Sequence, residues 1–227
     1  MTRSSFRGIV LIAVLVCALL ACKRKESAGG SGSGSLGDRA AKIKPDAKKR
    51  LAQLAALAPK VKAEAAVTSD KPVAVRPSRK TVAITGDRWL TDPNYSPSSE
   101  ELNFGNTLLS LCKHGTEGES QTEDHIKYLE QCVAFEIVAV VRQRSIARPK
   151  IKMKSKTYDP GQVKVDVLVY ELATAQLLGA YDVQVTNSPE LKLPGSDQSE
   201  ADWLGLAMAD LKVGAELKVE DKLGIRL

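Results

Sequence analysis

Two cysteines and the chain's only two histidines fall within one short stretch, as Cys112, His114, His125 and Cys132. The spacings are C-x-H and H-x6-C, and two thiolates with two imidazoles make up one of the donor sets that hold structural zinc. The same cysteines, oxidised, would close a loop of about 20 residues and stabilise the fold by roughly 3 kcal/mol on a chain-entropy basis. Which chemistry applies depends on the redox compartment, because zinc needs thiolates and an oxidising space pairs them. The spacing matches none of the recurrent zinc-finger patterns, and neither cysteine has the sequence context of a nucleophile. Two acid pairs, Glu100-Glu101 and Glu123-Asp124, are the other candidates for proton transfer. Both stand where helices are expected to begin, and acids there favour the positive end of the helix dipole. No G-x-S-x-G, H-E-x-x-H, P-loop or dinucleotide fingerprint occurs in residues 81–227, so no catalytic residue is assigned.

The strongest charge signal lies between Glu136 and Asp159. No acid interrupts it, while Arg142, Arg144, Arg148, Lys150, Lys152, Lys154 and Lys156 supply seven positive charges. In extended chain the four lysines project to one side and Ile151, Met153 and Ser155 to the other. Two readings stay open: an edge strand defended by lysines against pairing with other chains, or an anion-binding strip.

The compartment comes from the N-terminus. After Arg3 and Arg7 the chain runs apolar from Gly8 to Cys22, then turns polar at Lys23-Arg24-Lys25. Fifteen residues fall short of the roughly 20 needed to cross a bilayer core as a helix. A charged n-region followed by a short apolar h-region is a secretion signal. Its end, Leu19-Leu20-Ala21-Cys22, resembles the lipobox of bacterial lipoproteins; Leu20 is bulkier than the residue usual at its position. The resemblance covers residues 1–22 and implies that residues 1–21 are cleaved and that Cys22 carries the lipid. Two or more acyl chains make such an anchor effectively permanent. Lys23, directly after the cysteine, is unlike the Asp that retains lipoproteins in the inner membrane of familiar Gram-negative bacteria, so the expected location is the outer membrane, facing the periplasm. Export then settles the cysteines in favour of a Cys112–Cys132 disulfide over metal binding, and no cofactor is expected.

The elements that must position these residues follow. From Lys23 to Lys80 there are 15 Lys and Arg against 5 Asp and Glu, a net +10; from Thr81 onward there are 16 against 22, a net −6. Such asymmetry points to a basic leash carrying an acidic head, with an anionic surface near the leash. Ser27 to Gly37 is nearly pure Gly and Ser and predicts a flexible spacer. Residues 46–66 predict a short helix that Pro59 ends or kinks, either solvated or lying along a membrane or partner with its lysines facing anionic groups. Residues 67–80 read as linker, which places the start of the folded domain at Thr81.

Within 81–227, strands are expected at 81–85, 134–146, 162–170 and 177–186. One helix follows Ser99 and carries Leu102, Leu108, Leu109 and Leu111. A second covers Glu123 to Cys132, with Ile126, Tyr128 and Leu129 inward. The last starts at a capping box, Ser199 with Asp202, and turns Leu204, Met208, Leu211, Ala215 and Val219 inward; Gly214 leaves open a break into a terminal strand. The fold class is α+β: a small antiparallel meander with helices packed on one face, preceded by a flexible basic tether.

The function expected is a binding or scaffolding module anchored to the membrane through lipid on Cys22, its partner an anionic envelope component or an acidic protein. The alternative is a hydrolase acting on envelope polymer. Nucleic acid is not an expected partner, because aromatics make up 4% of residues and stacking platforms need them. Metabolic labelling with an acyl-chain probe is expected to mark the wild-type chain and not Cys22→Ala; equal labelling of the two would refute lipidation at Cys22.

Overall fold

The computed structural model describes residues 35–73, 82–92, 95–98, 101–102, 107–117, 122–188 and 199–225. The signal, Cys22 and most of the Gly/Ser run lie outside them. In chain order the elements are α1 (Leu36–Ala63), β1 (Val82–Gly86), α2 (Asp87–Thr91), α3 (Thr107–Glu117), α4 (Glu123–Ala134), β2 (Ile137–Ala147), β3 (Lys150–Lys152), β4 (Thr157–Asp159), β5 (Gln162–Glu171), β6 (Gln176–Thr186) and α5 (Glu200–Leu223). The main sheet has the order β1-β2-β5-β6, and β3 and β4 form a separate two-stranded hairpin.

The α+β class is as expected, and β2, β5 and β6 pair antiparallel. β1 instead runs parallel to β2, because the chain between them crosses over through α2, α3 and α4, which a parallel pair requires. Helices on a single face were expected, yet they cover both. One face, with Ala83, Val138, Val140, Leu168, Tyr170 and Ala180, packs against α1, α3 and α4. The other, with Val82, Ile84, Ala139, Val141, Val165, Val167 and Val183, packs against Ala215, Val219 and Leu223 of α5. The physical reason is the unbroken apolar run Ile137–Val141: a strand apolar on both sides needs cover on both.

The largest departure concerns α1. It begins ten residues earlier than expected, at a capping box in which the Ser35 hydroxyl accepts from the Asp38 N–H and the Asp38 carboxylate accepts from the Ser35 N–H. It then passes through Pro45 and Pro59. Both prolines sit on the exposed side, where a carbonyl freed by the missing N–H can turn to water. The opposite side buries Ala40, Ala47, Leu54, Leu57 and Val61 in the core shared with α3 and α4. Arg39 ties α1 to Glu123 and Glu130 of α4, and Arg50 donates to the Val133 carbonyl near the end of α4, at 3.2 Å. Residues 35–73 are thus folded onto the sheet, inside a compact unit that spans Gly34–Leu227, and the expected boundary at Thr81 does not hold.

Past α1, Lys71 bridges Ala180 through two backbone hydrogen bonds of 2.7 and 2.9 Å. That contact covers the β6 edge. It explains Gly179, where a Cβ would come within 2.7 Å of the Lys71 carbonyl oxygen.

α5 starts at the expected Ser199/Asp202 capping box and continues unbroken through Gly214 to a left-handed Gly224 at φ 65°. Gly214 is a packing residue: a Cβ there would meet Val185 at 2.9 Å. The buried row is Trp203, Ala207, Leu211, Ala215, Val219 and Leu223, spaced by four. Leu204 and Met208, expected inward, are only half-buried, because the buried row steps from Leu211 back to Ala207 and Trp203. Tyr128, also expected inward, is 37% exposed.

Leu57 is fully buried under α1, so Leu57→Ala is expected to cost about 2–5 kcal/mol in denaturant-induced unfolding, as for a core leucine. A change under about 0.5 kcal/mol, typical of surface sites, would return α1 to the tether.

Candidate functional site

The cysteine and histidine set resolves into structure. Cys112 of α3 and Cys132 of α4 form a disulfide with Cα atoms 5.1 Å apart, and both are fully buried. Two bridged sulfurs are not available as zinc ligands. His114 lies beside Tyr128, with ring centroids 6.2 Å apart. Of the acid pairs, Glu123 and Asp124 occupy the first turn of α4 behind the Thr122 N-cap, as expected, and Glu123 also serves Arg39. Glu100 lies outside the described residues. Glu101 pairs with Arg88 and accepts the Tyr95 hydroxyl.

The seven-residue basic strip does not stay together. Arg142 and Arg144 share a sheet face with Val138 and Val140 and turn inward. The carboxylate between them is Asp166, itself fully buried. Arg142 Nη2 lies 2.7 Å from Asp166 Oδ2 and Arg144 Nε 3.0 Å from Oδ1, and Arg144 reaches on to Asp182. Asp166 and Asp182 are cross-strand partners on β5 and β6. Two acids directly opposite repel each other, and the arginines neutralise them.

Arg142 also donates to the carbonyls of Val61 and Glu64 at 2.8 Å and of Ala65 at 2.9 Å. A cation therefore stands where α1 exposes its last carbonyls and the negative end of its dipole. Arg144 donates to the Val67 carbonyl at 3.0 Å, and the Val67 N–H donates to Asp166 at 3.3 Å. This cluster binds the protein's own backbone and is no site for an external anion.

The lysines fall on a hairpin. β3 holds Lys150 and Lys152, a 3-10 turn holds Lys154, and Lys156 takes a left-handed φ of 53° before β4 returns. The single extended row expected for four lysines is therefore broken. The Ser155 hydroxyl, 2.7 Å from that of Thr157, favours the turn, and Tyr158 ties β4 to the Ser188 carbonyl at 2.5 Å. Lys152 pairs with Asp159 at 2.6 Å, while Lys154 and Lys156 are exposed with Met153 at the tip and Lys150 is exposed at the open end. Since the hairpin pairs with itself, these lysines do not guard an edge of the main sheet.

Two features escaped the sequence reading. The first is a cluster where α2 meets residues 95–102. Arg88 stands 5.5 Å from the Tyr95 ring centroid, Trp89 meets Tyr95 edge-on at 5.7 Å, and Leu102 N–H donates to Gln143 at 3.0 Å. The hydrogen bond from Tyr95 holds the Glu101 carboxyl below its usual range, and burial pushes the Asp87 carboxyl up. The cavity they line holds about 30 Å³, room for about one or two waters. The cluster clasps a loop.

The second is the outer side of α5. Leu206, Val213 and Leu217 are 43%, 53% and 60% exposed, and their spacing of seven and four puts them on one helix face. Beside them runs a groove of about 580 Å³ floored by Leu204, Gly205, Met208 and Ala209 and rimmed by Arg148 and Lys212. Asn187 seats α5 by donating to the Ala207 carbonyl at 2.6 Å while accepting from Gly161 N–H at 2.8 Å. The available signal was a second apolar register in α5, offset from the buried one.

The sequence matches no protein-family model and no curated protein. Among solved structures the chain is similar to the PelC dodecamer from Paraburkholderia phytofirmans, with 13% identity over 70% of this chain and 96% of that chain. The TM-score is 0.29, too low to carry fold or function across.

The two halves of the basic strip should respond differently to substitution. Arg142→Ala, which leaves Asp166 short of a partner, is expected to cost about 3 kcal/mol in urea unfolding. Reversing Lys150, Lys154 and Lys156 to Glu should change stability by less than about 0.5 kcal/mol. Equal effects would contradict the division.

Proposed function

We propose that this chain is a lipid-anchored lipoprotein of the bacterial envelope, facing the periplasm from the outer membrane, that works as a binding or scaffolding module. The charged and apolar signal ending at Leu19-Leu20-Ala21-Cys22 supports the anchor, and Lys23 supports the outer membrane. The observation that carries the binding role is the row Leu206, Val213 and Leu217 on the outer side of α5. Apolar area gains about 25 cal/mol per Å² when removed from water, and these three side chains leave about half of their area uncovered within the chain. Leucine and valine in one exposed row beside an apolar groove form a patch of the kind that marks interaction sites.

A photo-crosslinking residue at position 213 is expected to give a discrete adduct in intact cells. Leu206→Asp with Leu217→Asp should abolish that adduct and leave the melting temperature within a few degrees of wild type, since neither side chain is in the core. No adduct at position 213, or one that survives both substitutions, would remove the α5 surface from the proposal.

A further inference from the structure

α1 is 28 residues long, about 42 Å at 1.5 Å per residue. Its buried side being committed to α3 and α4, its outward side is defined. Down the middle lie Ala41, Pro45, Ala52, Ala55, Ala56, Pro59 and Ala63, all exposed. At 100° per residue, Lys44 and Lys62 line one margin and Lys42, Lys49 and Lys60 the other, with Lys48 among the central residues. Lys60 donates to the Ala175 carbonyl at 2.9 Å, and the other five have no hydrogen-bond or ion-pair partner among the described residues. The helix's two arginines are engaged inward. Of its two acids, Asp38 is held in the capping box, four residues before Lys42, and Asp46 lies beside Lys42 and Lys49.

We infer that this outward face of α1 lies against the anionic headgroups of the bilayer to which the chain is tethered. The inference rests on the lipid anchor proposed above. Between Cys22 and Ser35 are 13 peptide steps, which reach at most about 47 Å at full extension, so the start of α1 cannot stray far from the surface. Residues from Thr81 onward carry a net −6 and are repelled by an anionic bilayer, while the lysine face is attracted. The two forces together orient the domain with α1 down. Small side chains along the centre let the backbone approach the headgroups, and the lysine stems at both margins reach sideways to phosphates. The α5 surface lies on the other side of the sheet and is left free for a partner.

The test uses the full-length chain reconstituted into vesicles of phosphatidylcholine alone or mixed with phosphatidylglycerol, with lysine acetylation read residue by residue by mass spectrometry. On the anionic vesicles Lys42, Lys44, Lys48, Lys49 and Lys62 should react several-fold more slowly than on the neutral ones. The hairpin lysines Lys150, Lys154 and Lys156 should react alike on both. Salt at 1 M, where the Debye length falls to about 3 Å, should erase the difference. Changing Lys44, Lys48 and Lys62 to Glu should return Lys42 and Lys49 to their neutral-vesicle rates. Equal reactivity on the two vesicles, or equal protection of α1 and hairpin, would overturn the inference. So would protection by soluble polyphosphate as strong as that by vesicles, which would make the face a general polyanion site. The acyl mass on Cys22 is read in the same preparation: its absence with α1 protected removes the anchor and keeps the contact, and its presence with α1 unprotected does the reverse.

Discussion

One fully buried carboxylate, Asp166, ties together pieces that lie far apart in the chain. Removing a charge from water costs several kcal/mol, so it persists only where opposite charge and hydrogen bonds compensate. Here the compensation comes from Arg142 and Arg144 on β2 and from the Val67 N–H. Those partners have further obligations: Arg142 to the last carbonyls of α1, and Arg144 to the Val67 carbonyl and to Asp182 on β6. Three strands, one helix end and the segment leaving that helix meet at a single ion cluster. The strand register, the exit of α1 and the path toward Lys71 are therefore mutually dependent.

From that cluster the division of surfaces follows. Because α1 is tied down at its C-terminus by Arg142 and along its length by Leu54, Leu57 and Val61, its alanine and lysine side has only one way to face. Because β2 and β5 are apolar on both sides, α5 is drawn to the second face and presents its own outer side there. The protein is thus a two-sided layer, one outer helix face cationic and the other apolar. Its cationic and apolar surfaces are consequences of how the core is closed.

Much of the frame was legible in the residues. β5 shows in the alternation of Gln162 to Tyr170, α4 in its Glu123-Asp124 start, and α5 in the Ser199/Asp202 box. These are local signals, carried by residues two to four apart. The same local reading mistook α1, since its Ala-rich, proline-interrupted stripe promises little burial until α3 and α4 are set against it. The basic strip misled in a related way. Arg142 and Lys150 look alike along the chain and each has an aspartate opposite it, Asp166 and Asp159; only the burial of Asp166 and the exposure of Asp159 separate a structural cation from a surface one.

What the sequence by itself determined is what contiguous residues encode: the strand and helix periods, the helix caps, and where Cys112 and Cys132 fall on them. The tertiary structure alone decided which of the chain's charges are buried, that residues 35–73 belong to the domain, and which side of α5 is exposed. Burial is a property of what comes to lie opposite, and the partners of Arg142, Leu57 and Val219 are brought there from elements tens of residues away. Period and composition report how much apolar or charged surface a segment has. They do not report what will cover it.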